Sequence, residues 1–303
     1  MRVVVILNPI SGTRGNPEVV RRRAQLAKDL FSTTGIEHEI RITEGAGHAY
    51  ELAREAVERH ISLVFAWGGD GTMNEVGRAL AFSSTTLALI PAGSGNGLAR
   101  ELGVSFDPTQ ALKTALHGTD RAIDVGEIGG RLFFNAAGVG FDAHVTALFN
   151  YHPKGRRGLF SYVMIAAREL LSYQPEVYTI TIDGETIHTP ALLIALANSR
   201  QYGSGAIVAP DADLNDGRLD LVVIHERSAL RTFWEARRLF NGTITASASV
   251  EMRRIAQATI MGQRPFCLHV DGEPVANTAT SLAVRIHPLA LRVRVGEVLP
   301  SWQ

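Results

Sequence analysis

Residues 67–76 read Trp-Gly-Gly-Asp-Gly-Thr-Met-Asn-Glu-Val, and they continue the strand-like run Ser62–Trp67. Glycines let backbone N–H groups approach phosphate oxygens closely, and the N-terminus of a helix that follows favours negative charge. A buried strand, a glycine-rich turn and a helix in this order therefore predict a phosphate-binding loop in an α/β domain.

The residues around this loop alternate strand and helix patterns through the first 124 residues. Arg2–Leu7, Ile36–Ile42 and Leu87–Ile90 have the short apolar or alternating pattern of strands. A helical pattern begins at Asn16 and Pro17, residues suited to the N-cap and the first helical position. Because strands that alternate with helices favour parallel pairing, we expect an α/β N-terminal domain with a parallel sheet over residues 1–124.

The pattern changes after Asp124. Short strand-like segments follow one another, separated by Asp-Gly turns at 183–184, 216–217 and 271–272, as is typical of antiparallel sheets. Helical patterns interrupt them near Leu159–Leu171 and Ser228–Phe240. We expect a β-rich antiparallel sandwich as the C-terminal domain, over residues 125–289. Its predicted strands are Val125–Ile128, Leu132–Ala136, Val177–Ile182, Ala191–Ala197, Leu219–Ile224, Pro265–Val270 and Ala283–Ile286, with a terminal strand at Ala290–Val295.

Composition and charge narrow the class of protein. Among 303 residues, 30 Lys+Arg balance 30 Asp+Glu, so no overall basic field indicates a nucleic-acid partner. No uninterrupted apolar stretch approaches the roughly 18 residues of a membrane-spanning helix, so we expect any membrane contact to be peripheral. The single cysteine, Cys267, excludes an internal disulfide, fits a cytoplasmic protein, and is predicted to be a small core residue.

Two further glycine-rich loops resemble the one at 68–72 in their position after a strand. They are Asn8–Gly12 and Pro91–Asn96. Because loops at the carboxyl ends of parallel strands converge on one crevice, we expect the three loops to form one phosphate site. A carboxylate beside phosphate is repulsive unless a cation stands between them, so Asp70 predicts Mg²⁺; the alternative is a turn residue that accepts backbone N–H groups.

Two other nucleotide-binding signatures do not fit this chain. The chain has no Gly-x4-Gly-Lys-Ser/Thr, so it is not a P-loop enzyme. Residues 138–143 match Gly-x-Gly-x-x-Ala, but they lie in the antiparallel region, where we expect a tight strand-to-helix turn. The histidines show no metal-binding spacing, and His188, His225 and His269 are predicted to be structural.

The motifs together resemble the diacylglycerol kinase catalytic domain superfamily, which includes bacterial diacylglycerol kinases, sphingosine kinases and ceramide kinases. The matching segments are Asn8–Gly12, Thr43, residues 68–76, residues 91–100, Asn135–Asp142, Asp216–Asp220 and Asp271–Glu273. The third loop is closer to the sphingosine and ceramide kinase form, which leaves the lipid acceptor open.

The resemblance implies an ATP- and Mg²⁺-dependent lipid kinase whose C-terminal tail, 290–303, returns to the first domain. It implies that Asp70 lies in the magnesium network. It also implies that Asp271 or Glu273 takes the proton from the lipid hydroxyl. The alternative for Asp271-Gly272 is an ordinary hairpin turn, for which Asp-Gly is a common sequence. It implies a structural Mg²⁺ near Asp216, with Asp213 and Arg218 as carbonyl ligands. The residues expected to contact ATP are Asn8, Ser11, Gly12, Thr43, Gly68, Gly69, Asp70, Gly71, Thr72, Glu75, Gly93, Ser94 and Asn96.

The expected partner is a lipid, and the basic stretch His152–Arg157 is a candidate for docking to an anionic membrane, with a solvated loop as the alternative. A homodimer is left open. Two other functions are weighed against lipid kinase activity. One is an NAD kinase, which shares the Gly-Gly-Asp-Gly core, and the other is a non-catalytic nucleotide- or lipid-binding regulator on the same fold.

Overall fold

The computed structural model describes residues 2–12, 15–151, 159–203 and 205–296. The chain divides into two compact units, which are Met1–Ile123 with Leu289–Gln303 and Asp124–Pro288. We call them unit 1 and unit 2.

Unit 1 is built on a parallel sheet in the order β2-β1-β3-β4, and the last residues of β18 pair in parallel with β4. Every residue of β3 and β4 is buried, which explains the continuous apolar sequence of these strands. The elements are β1 (Arg2–Leu7), α1 (Pro17–Thr34), β2 (Glu37–Ile42), α2 (His48–Glu58), β3 (Leu63–Gly68), α3 (Asp70–Leu80), β4 (Thr86–Pro91), α4 (Gly97–Glu101) and α5 (Pro108–His117).

Unit 2 is an antiparallel sandwich. One sheet has the order β14-β13-β10-β7-β16-β17, and β9, β8, β15 and the start of β18 pair in a second layer. The elements are β5 (Thr119–Ile128), β6 (Arg131–Phe133), β7 (Ala136–Gly140), α6 (Phe141–Tyr151), α7 (Leu159–Glu169), β8 (Glu176–Ile182), β9 (Glu185–Ala191), β10 (Leu193–Ala197), β11 (Gln201–Gly203), β12 (Ala206–Ile207), β13 (Leu219–Ile224), α8 (Ala229–Ala236), β14 (Val250–Ile255), β15 (Gln257–Gly262), β16 (Leu268–Val270), β17 (Glu273–Val275) and β18 (Ser281–Val295), with short 3₁₀ turns at Arg237–Leu239 and Ile244–Ala246.

The core of unit 2 lies between the two layers. Tyr178 and Ile260 from one layer belong to the same buried cluster as Val139, Leu196 and Leu221 from the other. The predicted fold class, an α/β domain followed by an antiparallel β-rich domain, is confirmed.

Several predicted element boundaries were wrong. Leu132–Ala136 is interrupted, because β6 ends at Phe133 and β7 begins only at Ala136. The intervening N–H groups of Phe134 and Asn135 donate to the Asp271 carboxylate. In contrast, the strands predicted at 283–286 and 290–295 are parts of one strand, β18.

The predicted strand Pro265–Val270 was also too long, since β16 begins at Leu268. Cys267 is exposed, so its assignment to the core was wrong. Phe266 and Leu268 on either side of it are buried, and the alternation of side chains turns Cys267 outward.

No helix in the described ranges is long and apolar enough to cross a membrane.

Candidate functional site

The first two loops of unit 1 are joined by side-chain hydrogen bonds. Asn8, directly after β1, donates from Nδ2 to Thr72 Oγ1 of α3 at 2.8 Å. The Gly69 N–H donates to Ser11 Oγ at 3.3 Å. Two polar residues of the opening motif therefore hold the start of α3.

The third loop lies directly against the other two. The Ala92 N–H donates to the Gly68 carbonyl at 2.8 Å. A Cβ atom on Gly93 would lie 2.7 Å from the Gly69 Cα atom, and one on Gly12 would lie 2.3 Å from the Ala92 carbonyl oxygen. These glycines are needed because backbone packs against backbone, and the three predicted loops meet at one edge of the sheet.

Asp70 links the second loop to the third. Its Oδ2 accepts the Asn96 N–H at 2.8 Å, and its Oδ1 accepts the Gly97 N–H at 2.7 Å. The alternative interpretation of Asp70, a carboxylate that accepts backbone N–H groups, therefore describes its contacts in the structure. Each oxygen of a carboxylate has a second acceptor position, so these two bonds leave room for a further contact.

Asn96 organises the third loop from within. It is fully buried and caps α4 with a left-handed backbone, φ 52°. Its side chain accepts the Gly93 N–H at 3.0 Å and donates to the Gly93 carbonyl at 2.7 Å. The side chain and the backbone N–H of Asn96 are therefore both bonded within the loops, and its expected contact with ATP stays a prediction. Ser94, between these partners, is exposed.

Thr43 and Glu75 border the same edge of the sheet. Thr43 is buried, and its N–H donates to the Leu7 carbonyl at 2.9 Å. Glu75 accepts the Gly47 N–H at 2.9 Å and the Ala49 N–H at 3.1 Å, at the N-terminus of α2. Glu75 therefore satisfies N–H groups at the N-terminus of α2, and its expected contact with ATP stays a prediction. Gly71 lies in the first turn of α3.

One cation near the loops was missed at the level of sequence. Arg23 of α1 donates to the Ser11 carbonyl at 2.8 Å, and its guanidinium lies 5.9 Å from the centre of the Trp67 ring. Burial lowers the pKa of Arg23 below its ordinary value. An anion at the loops would compensate this cost of burial. The run of arginines at 21–23 was the available signal, but only the fold shows which one turns inward.

In unit 2, Asp271 and Gly272 form the two-residue turn of the β16–β17 hairpin. Val270 pairs with Glu273, and the two turn residues have φ values of +46° and +79°. Asp-Gly is the preferred sequence for such a turn because both positions need positive φ.

The Asp271 carboxylate is anchored to backbone. Its Oδ1 accepts the N–H groups of Asn135 at 2.9 Å and Ala136 at 3.1 Å, and its Oδ2 accepts that of Phe134 at 3.1 Å. Glu273, two residues on, begins β17 with an exposed side chain. The two candidate bases therefore have different surroundings, since one carboxylate is held by three amides and the other is at the surface.

The loop predicted to hold a structural metal folds onto a buried acid that no motif in the sequence indicates. The Gly217 N–H donates to Oδ2 of the fully buried Asp124 at 2.7 Å. Asp213 Oδ1 and Asp216 Oδ1 accept N–H groups two residues further along, from Asn215 at 3.2 Å and Arg218 at 2.9 Å. Within the described ranges, no three His, Cys, Asp or Glu side chains are placed to hold a metal ion. The carbonyl ligands expected from Asp213 and Arg218 stay a prediction.

A second buried polar cluster in unit 2 was also missed. His269 Nε2 lies 2.8 Å from Asp142 Oδ2, and the Tyr202 hydroxyl bonds to both side chains. All three converge on Gly138, where a Cβ would come within 2.1 Å of Asp142. The glycine of the Gly-x-Gly segment therefore makes space for this cluster. His269, which is predicted to be structural, is buried and bonded within this cluster, and its role stays a prediction.

Comparison with known proteins identifies the family. Residues 2–128 match the diacylglycerol kinase catalytic domain, and residues 135–295 match the YegS C-terminal NAD kinase beta sandwich-like domain. A "probable lipid kinase YegS-like" protein of Chromohalobacter salexigens is 33% identical over 87% of this chain and 86% of its own length. A "diacylglycerol kinase" of Bacillus subtilis is 30% identical over 90% of this chain and 89% of its own length.

Solved structures agree on the fold. A crystal structure named as that of a diacylglycerol kinase from Bacillus anthracis aligns with a TM-score of 0.74 at 20% identity, over 98% of both chains. The joined glycine-rich loops on a parallel sheet, followed by the sandwich, thus have the fold of that structure. The family model and the named relatives make this chain a phosphotransferase with an alcohol acceptor. The chain belongs to the YegS-like and diacylglycerol kinase family of lipid kinases.

Proposed function

We propose that the protein transfers the γ-phosphoryl group of magnesium-bound ATP to the hydroxyl group of a lipid, either diacylglycerol or a sphingoid-like lipid. The observation that carries the proposal is the contact of three glycine-rich loops at one edge of the unit 1 sheet. We assign the nucleotide to unit 1 and the lipid to unit 2.

Phosphoryl transfer depends mainly on positioning and on neutralising charge on the phosphoryl oxygens. The N-terminus of α3, which the first and third loops hold in place, supplies partial positive charge without side-chain motion. Arg23, held at the Ser11 carbonyl, adds a full charge beside the first loop. These positively charged groups can orient the γ-phosphate of ATP, and none of them is a nucleophile that would form a covalent intermediate.

Magnesium would enter with ATP as part of the substrate and reduce the repulsion between its phosphates. Asp70 fits this task, because its two accepted N–H bonds fix the carboxylate and leave acceptor positions on both oxygens. At the second site, the carbonyl oxygens of Asp213 and Arg218 would hold a structural Mg²⁺ in the loop around Asp216. That ion would stabilise the loop, and no step of the transfer depends on it.

Glu273 is the better candidate for the base that takes the lipid proton. A base has to be accessible to the approaching hydroxyl group. The Asp271 carboxylate is directed at three backbone N–H groups, whereas Glu273 is exposed on the neighbouring strand. Asp271 would then be a positioning residue that sets the hairpin on which Glu273 stands.

The lipid is expected to come from a membrane, and we propose that the protein is cytoplasmic and contacts that membrane peripherally. The basic stretch His152–Arg157, the first candidate for this contact, lies outside the described residues. Helix α7, which follows it, exposes Phe160 and Met164 by 79% and 55%.

The proposal is tested by incubating the protein with γ-labelled ATP and a panel of diacylglycerol, sphingosine, ceramide and phosphatidylglycerol. We expect label in one extractable lipid, dependent on Mg²⁺. Label in NADP when NAD is supplied, with none in any lipid, would support the NAD kinase alternative. ATP binding without transfer to any acceptor would support a regulator.

A further inference from the structure

Helix α8 presents an apolar face that the rest of unit 2 does not cover. None of its eight residues is buried, although it carries several large apolar side chains. Leu230, Phe233 and Trp234 are exposed by 87%, 56% and 55%, and Phe240 beyond the helix end is exposed by 48%. Residues three and four apart share one side of a helix, so Leu230, Phe233 and Trp234 form a single stripe.

Arginines flank this stripe. Residues 227–240 contain four arginines (227, 231, 237 and 238) and one glutamate, Glu235. The Arg237 guanidinium lies 3.7 Å from the centre of the Trp234 ring. Trp234, Arg237 and Arg238 line an open groove of about 510 Å³, together with Asn241, Thr243 and Ala246. An aromatic ring beside two guanidinium groups favours an anionic group with an apolar neighbour.

The one acid of the segment is turned inward. Glu235 accepts hydrogen bonds from Ser247 Oγ at 2.7 Å and Ser249 Oγ at 2.8 Å, and Arg231 Nε lies 3.1 Å from it. Leu239 packs against the buried cluster that contains Ala195 and Val222. These contacts attach α8 to the sandwich by one side and leave the apolar and basic side facing outward.

We propose that this surface, the α8 face formed by Leu230, Phe233, Trp234, Arg237 and Arg238, docks on an anionic lipid bilayer. An amphipathic helix with aromatic residues on one side and arginines at its edge binds at the headgroup boundary, where apolar burial and attraction to anionic lipid add. The positive charge of this surface favours an anionic bilayer over a second copy of this chain. A second copy would bring the same arginines to the contact, and like charges repel.

The inference rests on the proposed lipid kinase function for its biological purpose, since docking would bring unit 2 to the membrane that holds the acceptor. It is distinct from the predicted docking stretch at 152–157. It concerns binding alone, so it can be measured without ATP.

The test is sedimentation of the full chain with vesicles of phosphatidylcholine, with and without phosphatidylglycerol. We expect binding only to the anionic vesicles. Replacing Arg237 and Arg238 by glutamine is expected to lower the partition coefficient roughly twenty-five-fold, at about fivefold for each arginine near an anionic surface. The matched control is Arg21→Gln with Arg22→Gln, an exposed arginine pair on α1, which is expected to bind like the wild type.

The apolar part is tested by Phe233→Ser with Trp234→Ser, which is expected to reduce binding roughly tenfold or more. Val177→Ser with Met261→Ser removes two other side chains of unit 2 that are each 45% exposed, and it should leave binding unchanged. Thermal unfolding of each variant shows whether its fold is intact.

Three results would overturn the inference. The wild type does not bind anionic vesicles, the α8 variants bind as well as the wild type, or the wild type is a dimer that the Trp234 variant separates. Activity on a lipid dispersed in detergent separates this inference from the proposed function. Loss of vesicle binding with normal activity in detergent supports the docking surface, and no lipid phosphorylation in any form contradicts the kinase proposal alone.

Discussion

Asp70 is the residue on which the organisation of the loops depends most. It begins α3 and accepts the N–H groups of Asn96 and Gly97 in the third loop. A hydrogen bond to a charged acceptor is worth about 1.5–3 kcal/mol, and removing the acceptor leaves both donors without it.

Asp70→Ala is therefore expected to keep the fold of unit 1, lower its melting temperature by roughly 10 °C, and abolish lipid phosphorylation. Titration of ATP in EDTA separates its two roles. If Asp70 only holds Mg²⁺, the variant binds metal-free ATP at least as tightly as the wild type, because a carboxylate that repels the phosphates has been removed. We expect weaker binding by the variant even without metal, because the third loop loses its anchor. Near-normal turnover by the variant would contradict both roles.

Gly93 tests the close approach of the second and third loops. A methyl group there would lie 2.7 Å from the Gly69 Cα atom, a backbone contact that no side-chain rotation relieves. Gly93→Ala is expected to raise the KM for ATP at least about tenfold, since displaced loop amides no longer converge on the phosphates. Gly45→Ala is the matched control, because nothing lies within 4 Å of its added Cβ. Equal kinetics for the two variants would contradict the assignment of the loops to nucleotide.

The two acids of the 271–273 hairpin are separated by paired substitutions. Glu273→Gln is expected to reduce kcat by about a hundredfold or more with an unchanged melting temperature, as for loss of a general base. Asp271→Asn is expected to destabilise unit 2 by about 2 kcal/mol, because an amide nitrogen cannot accept the backbone N–H groups that the carboxylate accepts. Denaturant unfolding and steady-state kinetics on both variants measure this. If Asp271→Asn is stable but inactive and Glu273→Gln is active, the assignment is reversed, and Asp271 is the base.

At the scale of elements, the attachment of α8 depends on one ionised carboxylate. Hydrogen bonds from Ser247, Ser249 and Arg231 lower the pKa of Glu235 from its ordinary 4.5 to about 2. The lowered pKa means that this contribution to stability is fully present above pH 4.5 and is lost as the pH falls toward 2.

We therefore expect α8 of the wild type to loosen in this acidic range. Glu235→Gln should show weakened attachment of α8 at neutral pH and no further change there on acidification. Limited proteolysis of the segment 227–240 at each pH, relative to cleavage elsewhere in the chain, measures the difference. Identical pH profiles for the wild type and the variant would show that Glu235 does not hold the helix.

Elements built on local pattern were predictable. Asn16 caps α1, and its side chain accepts the Glu18 N–H at 2.9 Å, as the sequence indicated. Breaks imposed by distant residues were not predictable. The gap between β6 and β7 exists because Asp271, more than 130 residues away, takes the N–H groups of Phe134 and Asn135. No local periodicity contains that information.

At the scale of the whole molecule, the residues in short contiguous motifs could be predicted from the sequence, and the contacts between distant residues could not. The three loops could be found because each carries its glycines in a short contiguous motif after a strand. Asp142, His269 and Tyr202 lie on different elements and meet only in the folded sandwich, so their contact has no signature in the sequence. Arg23 is likewise one of three consecutive arginines, and packing alone selects it.

The central claim, transfer of the γ-phosphoryl group of ATP to a lipid hydroxyl, is tested most directly by letting acceptors compete in one reaction. Wild-type protein receives γ-labelled ATP, Mg²⁺, diacylglycerol and sphingosine in mixed micelles, and NAD, with Glu273→Gln in parallel. We predict label in one extractable phospholipid, formed in equal amount with ADP and nearly lost in the variant. Label that appears only in NADP or only in free phosphate would contradict the account.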